Sequence, residues 1–494
     1  MPLILPGNVG SATAATSFNV ANSLRFNDGS SDYLSISNGT PTSLRIYTFS
    51  AWVKKTATGA LRTLYSNGTN GDNYMYIHFN NSTEQLEYVD VKSGEYQVNL
   101  KTTRAFKDPS AWYHIMIAVD TTQGTNTNRV KFYINGVQET SFVETTYPDQ
   151  NDDLILNGSN TNIGRYVIET DRFYDGYMSE VVFVDGTQQA NTDLGEFDDS
   201  GIWKPIDVSG LTFGDNGYYL EFKQAGTSQN SSGMGADTSG EDNHFAVSNL
   251  TAVDQTTDTC TNNFMTLNPL ITLTSRTDNQ VYSEGNTVVI PNSTDNYGTA
   301  FGTFGATRGK WYWEAKIIWN GTENNANYPR TIGFMRDDYA FNQSTLGQNA
   351  DNSWGVGFAD LDTDGWGLDH NGNFTAITGA TTLANNKMLM FALDLDNGKF
   401  YMGYDGTFFT SGDPTSGSTG TGAIATLDAT DLSKYIFPAV TNATNSTYYK
   451  FNFGNPAYAI SSGNTDQNGF GNFEYAPPAG FLSLNTKNLA AVLG

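Results

Sequence analysis

The chain has 494 residues, with 51 acidic side chains against 26 basic ones and a formal net charge of −25. Such a surface repels phosphate backbones, whose affinity rests on Lys and Arg neutralising charge, so nucleic acid is a poor partner. Only 16% of residues are charged, 13% are aromatic, and there are 50 glycines with the single Cys260. This is the composition of an all-β protein, not of a disordered acidic chain or a helical enzyme. It excludes an internal disulfide and a thiolate metal cluster.

In chain order, residues 1–20 come first, carrying the apolar triplet Leu3-Ile4-Leu5 outside any strand pattern. They have no basic flank and no long apolar run, so a signal peptide is not expected. No segment approaches the ~18 apolar residues of a membrane span, so no membrane insertion is expected. Strand-like alternation follows. Phe49, Ala51 and Val53 alternate with Ser50, Trp52 and Lys54, and Ile115, Ile117 and Val119 alternate with His114, Met116 and Ala118. Val130, Phe132 and Ile134 end at Asn135-Gly136, a pair suited to the positive φ angles of a tight hairpin turn. Val181 and Phe183 lead to Asp185-Gly186. Residues 224–243 read as a loop rich in Gly, Ser and Asp.

In the second half, Trp311, Trp313, Ala315 and Ile317 share one face, with Tyr312, Glu314 and Lys316 opposite. Leu389, Phe391, Leu393 and Leu395 run to Asn397-Gly398, and Phe400, Met402 and Tyr404 return. Residues 411–423 read as a long surface loop, and Tyr449, Phe451 and Phe453 close the set. Many such strands joined by Gly and Asn turns imply packed antiparallel sheets.

Leu24-Arg25-Phe26, Tyr33-Leu34-Ser35-Ile36, Thr48 to Lys54, Trp112-Tyr113-His114-Ile115, Val130 to Gly136, Ile163-Gly164 and Phe173 to Val181 occur in this order. Together they resemble a laminin-G-like, concanavalin A-like lectin/glucanase domain over residues 21–205. Gly309-Lys310-Trp311-Tyr312-Trp313-Glu314, Thr331 to Phe334, Ser353-Trp354-Gly355, Ala392 to Lys399 and Tyr449 to Gly454 resemble a SPRY domain over residues 272–458. The resemblance implies two tandem concanavalin A-like antiparallel β-sandwiches of jelly-roll type. A docking segment (1–20), a connecting segment with extra strands (206–271) and a C-terminal tail (459–494) complete the expected organisation.

The junction motifs Leu211 to Phe222 and Thr261 to Leu270, with the C-terminal Pro477 to Phe481 and Leu484 to Leu489, resemble virion-associated proteins of marine tailed bacteriophages. Cys260 stands where that resemblance leads one to expect proline. The resemblance implies a non-enzymatic tail fibre, spike or capsid-surface fibre. Such a protein is assembled in the host cytoplasm without a signal peptide and exposed on the virion surface. Its expected partners are other virion proteins, docked through Leu3, Ile4 and Leu5, and a host-surface glycan or receptor. Particle symmetry would impose a homo-oligomer.

The concanavalin-type fold also hosts retaining glycosidases, which need two carboxyl groups about 5–5.5 Å apart. Glu196-Phe197-Asp198 lacks the second Glu of such a motif, and Glu180 is followed by Val181-Val182-Phe183-Val184. A polysaccharide-cleaving hydrolase and a bacterial cell-surface adhesin remain the alternatives. His114 reads as a structural strand residue. Asp360-Leu361-Asp362-Thr363-Asp364-Gly365 has the oxygen spacing that opens a calcium loop, but Asn371 stands where the bidentate Glu belongs. Asp360, Asp362 and Asp364 thus read either as an acidic hairpin turn or as a calcium site, and no other cofactor is expected. Sugar recognition stacks an aromatic ring beside Asp and Asn. Trp366 with Asp364 and Asp369, and Tyr404 with Asp405, are the candidate sets. The competing and favoured reading of Trp366 is that it packs into the sandwich core.

Overall fold

The structure, a computed structural model, describes residues 18–155, 160–169, 171–270, 280–291, 298–319, 331–339, 345–347, 352–358, 366–378, 384–442 and 447–493. Among them nearly all regular structure is antiparallel strand, and the chain divides into two units between Asn263 and Phe264. No helix of the described residues is long and apolar enough to cross a membrane.

In the first unit, one sheet runs Val137–Glu139, Val130–Ile134, Tyr113–Asp120, Ile46–Lys55, Gly176–Asp185, Ser23–Phe26, Gln255–Thr256, and Tyr218–Leu220 also pairs with Gly176–Asp185. The other runs Phe142–Thr146, Glu95–Ala105, Gln85–Lys92, Asn73–Phe79, Arg62–Asn70, Asn160–Ile163, Tyr33–Ser37, Ala246–Ser248. Period-two alternation sends Phe49, Ala51, Val53, Ile115 and Ile117 from the first sheet, and Leu34, Met75, Ile77 and Tyr88 from the second, into one shared core. This is a sandwich held by apolar burial.

The back of the first sheet is covered too. Met116, Ala118, Val182 and Val184 pack with Leu194, Val208, Phe213 and Tyr219. Residues 206–263 therefore do more than connect: they cover one face of this unit and add the strands Tyr218–Leu220, Ala246–Ser248 and Gln255–Thr256.

The expected turn at Asn135-Gly136 is present, with φ of 48° and 73°. The Asn135 side chain accepts a hydrogen bond from the His114 backbone N–H at 2.7 Å. Gly136 lies under an indole, so that an added Cβ would sit 2.1 Å from the Trp203 ring. Trp203 in turn donates from Nε1 to His114 Nδ1 at 3.0 Å, and His114 Nε2 meets Ser50 Oγ at 2.7 Å. With Nδ1 accepting, Nε2 carries the proton, and burial pushes the imidazole down to about 3. His114 is thus a neutral strand residue. Gly136→Ala should destabilise this unit by about 2 kcal/mol, from left-handed backbone strain and displacement of Trp203. An unchanged thermal melt would refute that assignment.

The second unit has a nine-stranded and a six-stranded sheet among the described residues. The first centres on Thr447–Asn452, Lys310–Trp319, Met388–Asp394 and Lys399–Tyr404. The second runs Gly298–Phe301, Ile436–Asn442, Thr331–Arg336, Ser353–Phe358, Trp366–His370, Asn373–Ala376. Trp311, Trp313, Ala315, Ile317, Phe391, Phe400 and Phe451 meet Ile332, Phe334, Trp354 and Val440 in the core.

Residues 459–494, expected as a tail, are part of this unit's packing. Leu482–Ser483 runs parallel to Lys310–Trp319, and Phe473 and Phe481 cover Tyr312, Met390, Ala392 and Tyr401. The helix Thr486–Leu493 seats Leu489 in the main core. Asp466 organises this end: its carboxylate accepts from Ser483 N at 2.8 Å, Ser483 Oγ at 2.6 Å and Asn488 Nδ2 at 2.7 Å.

Candidate functional site

The outer face of the second sheet in the first unit is where polar and aromatic side chains converge. In Tyr33–Ser37, Leu34 and Ile36 pack toward the core, which sets Tyr33, Ser35 and Ser37 outward. In Asn160–Ile163, Ile163 is a core residue, so Asn160 and Asn162 point outward. The two strands pair in a register that puts Asn160 opposite Ser37 and Asn162 opposite Ser35.

Gly164 then turns the chain at φ 85°, and a Cβ there would strike the Phe26 ring at 2.7 Å. The turn delivers Arg165, whose guanidinium lies 4.4 Å over the Tyr33 ring. Two hydrogen bonds fix it: Ser66 Oγ donates to the Arg165 carbonyl at 2.7 Å, and Arg165 Nε donates to the Tyr166 carbonyl at 3.2 Å.

These residues line a groove of about 650 Å³, bounded by Gly68, Thr69 and Asn70 on one side and by Val167, Ile168, Gln229 and Ala246 on the others. Ser35 and Asn162 make no side-chain hydrogen bond among the described residues, while Ser37 Oγ donates to Asn160 Oδ1 at 3.3 Å. Hydroxyls and amides on the floor can both donate and accept, which is the chemistry that sugar hydroxyls require.

Beyond Gly68, which pairs with Tyr74, the same face carries an aromatic ladder. Tyr74 stacks on Tyr76 at 6.0 Å, Tyr76 on His78 at 4.1 Å, and Tyr166 meets both tyrosines edge-on. His78 Nε2 meets Glu87 Oε2 at 2.6 Å, and Lys101 Nζ meets Glu87 Oε1 at 2.6 Å. Burial opposes ionisation of Glu87, but His78 and Lys101 draw it down to about 2, while burial lowers His78.

The residues singled out from sequence fall elsewhere. Trp366 is 0% exposed and its ring belongs to the second unit's core, so no sugar reaches it. The reason is strand parity. Trp366 and Leu368 face inward from Trp366–His370, and Asp369, three residues on from Trp366, lies on the other face. Trp366 and Asp369 therefore do not form one site. Asp369 is half-buried, and that burial raises its carboxyl. Asp360, Asp362 and Asp364, the candidate calcium loop, lie outside the described residues, as do Leu3, Ile4 and Leu5.

Tyr404 does line a groove, of about 670 Å³, with Thr378, Thr407 and Phe408 to Ser411. Its hydroxyl accepts from Ala384 N at 3.0 Å. Asp405 is occupied by structural partners, an ion pair with Lys387 and the Tyr475 hydroxyl at 3.1 Å.

Asp198 and Glu180 are also engaged, while Glu196 is exposed. Asp198 pairs with Lys204 at 2.6 Å and accepts from the backbone of Ser200 and Ile202, both at 2.9 Å. Glu180 sits at a bulge with φ 49°, takes the Tyr219 hydroxyl, and is pushed by burial up to about 8.

Sequence reasoning missed Asn160, Asn162 and Arg165. The alternation in Asn160-Thr161-Asn162-Ile163 carried a signal for the outward amides, but their pairing with Tyr33–Ser37 lies more than 120 residues away in the chain.

Residues 28–191 match the family described as the concanavalin A-like lectin/glucanases superfamily. No curated protein matches the chain. Among solved structures the chain is similar to the SPRY domain of human HERC1, at 16% identity over 35% of this chain and 91% of that one, with a TM-score of 0.25. It is also similar to the SAP-like pentraxin of Limulus polyphemus, at 15% identity over 36% of this chain and 82% of that one, with a TM-score of 0.27. A third similarity is to domain 4 of AbnA, a GH43 extracellular arabinanase from Geobacillus stearothermophilus, in complex with arabinotriose. There the identity is 18% over 32% of this chain and 68% of that one, with a TM-score of 0.25.

Proposed function

We propose that the protein is a non-catalytic glycan-binding protein displayed on the surface of a tailed bacteriophage particle, with the groove at Tyr33, Asn162 and Arg165 as its binding site. The observation that carries this reading is the groove itself: an amide and hydroxyl floor beside a stacked Tyr33–Arg165 pair, on the outer face of a concanavalin A-like sheet. Its described lining contains no carboxylate, and glycoside hydrolysis by two carboxyl groups needs a pair of them. Binding rather than cleavage is the chemistry these residues support.

The phage assignment rests on the resemblance of the junction and C-terminal motifs. In that setting Leu3, Ile4 and Leu5 would dock the protein to other virion proteins, and the sandwiches would contact host-surface glycan.

The expected result in affinity electrophoresis is retardation of the wild type by polysaccharide in the gel. A Tyr33→Ala, Asn162→Ala double variant should lose about tenfold in affinity while keeping its melting temperature. Binding unchanged in that variant would move the site elsewhere. Immunogold labelling of intact particles tests the location, and absence of label would end the virion assignment.

A further inference from the structure

In a chain of net charge −25, the described lining of this groove presents one cation and no acid. The described lining residues are Tyr, Ser, Ile, Gly, Thr, Asn, Val, Gln and Ala, with Arg165 the single charged side chain among them. The nearest acid in sequence, Glu169, is taken by Arg172 at 3.0 Å. Arg25, Arg45, Arg62, Arg104, Arg172 and Arg336 pair with carboxylates, and Arg129, which has no ion pair among the described residues, is taken up by the carbonyls of Gln123, Gly124 and Pro148. Arg165 makes no ion pair among the described residues.

Nor is Arg165 a loose surface side chain. Its guanidinium carbon lies 4.4 Å over the centre of the Tyr33 ring and its Nε is anchored on the Tyr166 carbonyl at 3.2 Å. That arrangement spends Nε on the protein and leaves the terminal N–H groups for a ligand. A guanidinium fixed by stacking loses little freedom when it binds. Its fork matches a carboxylate or sulfate bidentately, which a neutral hydroxyl does not exploit. A cation left without an acid partner, in a protein with twice as many acids as bases, fits a ligand that brings its own negative charge.

We infer that the groove takes an anionic saccharide, a uronate or sulfate-bearing unit of a polysaccharide. Arg165 holds the charged group, and Ser35, Asn160 and Asn162 hold neighbouring hydroxyls. This rests on the glycan-binding reading of the groove and specifies the class of glycan.

The test is affinity electrophoresis of the full chain at about 0.15 M salt, where the Debye length of about 8 Å limits repulsion from the chain's net charge. The polymers are polygalacturonate and dextran sulfate against neutral dextran, mannan and galactan. The expected result is preference for an anionic polymer, with the uronate and sulfate arms telling which group is read. Arg165→Gln should lose about tenfold on that polymer, and Arg165→Lys, which keeps charge without the fork, should fall between.

Wild type and Arg165→Gln binding alike, or a preference for neutral polymers that survives Arg165→Gln, overturns the charge assignment and leaves glycan binding standing. Failure to bind any of the five polymers, with the melt of each protein unchanged, counts against the groove reading and takes the inference with it.

Discussion

Asp258→Ala is expected to destabilise the first unit by about 3–5 kcal/mol, the range for removing one partner of a buried ion pair. Lys54 and Asp258 are both 0% exposed and meet at 2.8 Å. Lys54 Nζ also donates to Asn263 Oδ1 at 2.7 Å and lies 5.2 Å from the Tyr177 ring centre. Asp258 accepts from Trp112 Nε1 at 3.2 Å, and its backbone carbonyl accepts from Ser23 Oγ at 2.5 Å. The alanine variant removes the Asp258 counter-charge from an ammonium that is 0% exposed, and it removes the acceptor of a tryptophan. It also frees the last part of this unit's chain, which the nearby Arg25–Asp254 pair at 3.3 Å helps to hold.

Tryptophan fluorescence during urea denaturation measures the loss. A cost below about 1 kcal/mol would show that the pair is dispensable. A Lys54→Met, Asp258→Leu double variant should recover much of the stability, because the penalty arises from the unpaired charge and not from lost attraction.

The second large effect is expected at Glu314, which is 0% exposed in the second unit. Four donors converge on its carboxylate: Tyr312 OH at 3.0 Å, Asn452 Nδ2 at 3.2 Å, and the backbone N–H groups of Glu474 at 3.0 Å and Tyr475 at 2.8 Å. Two of the four come from the C-terminal segment that covers Tyr312 and Tyr401. Glu314→Ala removes the shared acceptor of all four, of which only Asn452 Nδ2 keeps another partner among the described residues, the Asn472 carbonyl at 2.9 Å, and should cost about 4 kcal/mol. It should also loosen residues 473–481, read as accelerated amide hydrogen exchange there. Unchanged exchange would disprove that Glu314 holds this segment in place.

Burial pushes the Glu314 carboxyl up to about 7 from an ordinary 4.5. Between these values the folded chain holds a proton that the unfolded chain has released. The group's contribution is therefore fully present below about pH 4.5, is lost as pH rises toward 7, and changes no further above it. The difference amounts to roughly 3 kcal/mol at most. Denaturation midpoints of wild type and Glu314→Gln, compared from pH 5 to 8, should show the wild type losing stability relative to the variant as pH rises. Parallel curves would refute the shift.

Both residues show how far alternation carries. Trp311, Trp313, Ala315 and Ile317 belong to one face and Tyr312 and Glu314 to the other, as the period-two pattern implies. The pattern cannot say whether the second face meets water. Glu314 and Lys54 occupy positions that read as polar outer faces, yet each is covered by chain from far along the sequence. Trp366 posed the converse problem: a tryptophan between acids can suit a rim as well as a core, and strand parity puts it in the core.

Legible in the residues alone were the all-β class, several of the strands with their inward faces, though not Arg62–Asn70, Asn73–Phe79, Gln85–Lys92 or Glu95–Ala105, and turns such as Asn135-Gly136. These are local consequences of side-chain parity, backbone sterics and glycine's freedom at positive φ. Only the tertiary structure decided which outer faces are sealed, which strand neighbours which, and that Tyr33, Asn162 and Arg165 share a groove. Pairing between strands more than 120 residues apart depends on the whole fold, and no local pattern records it.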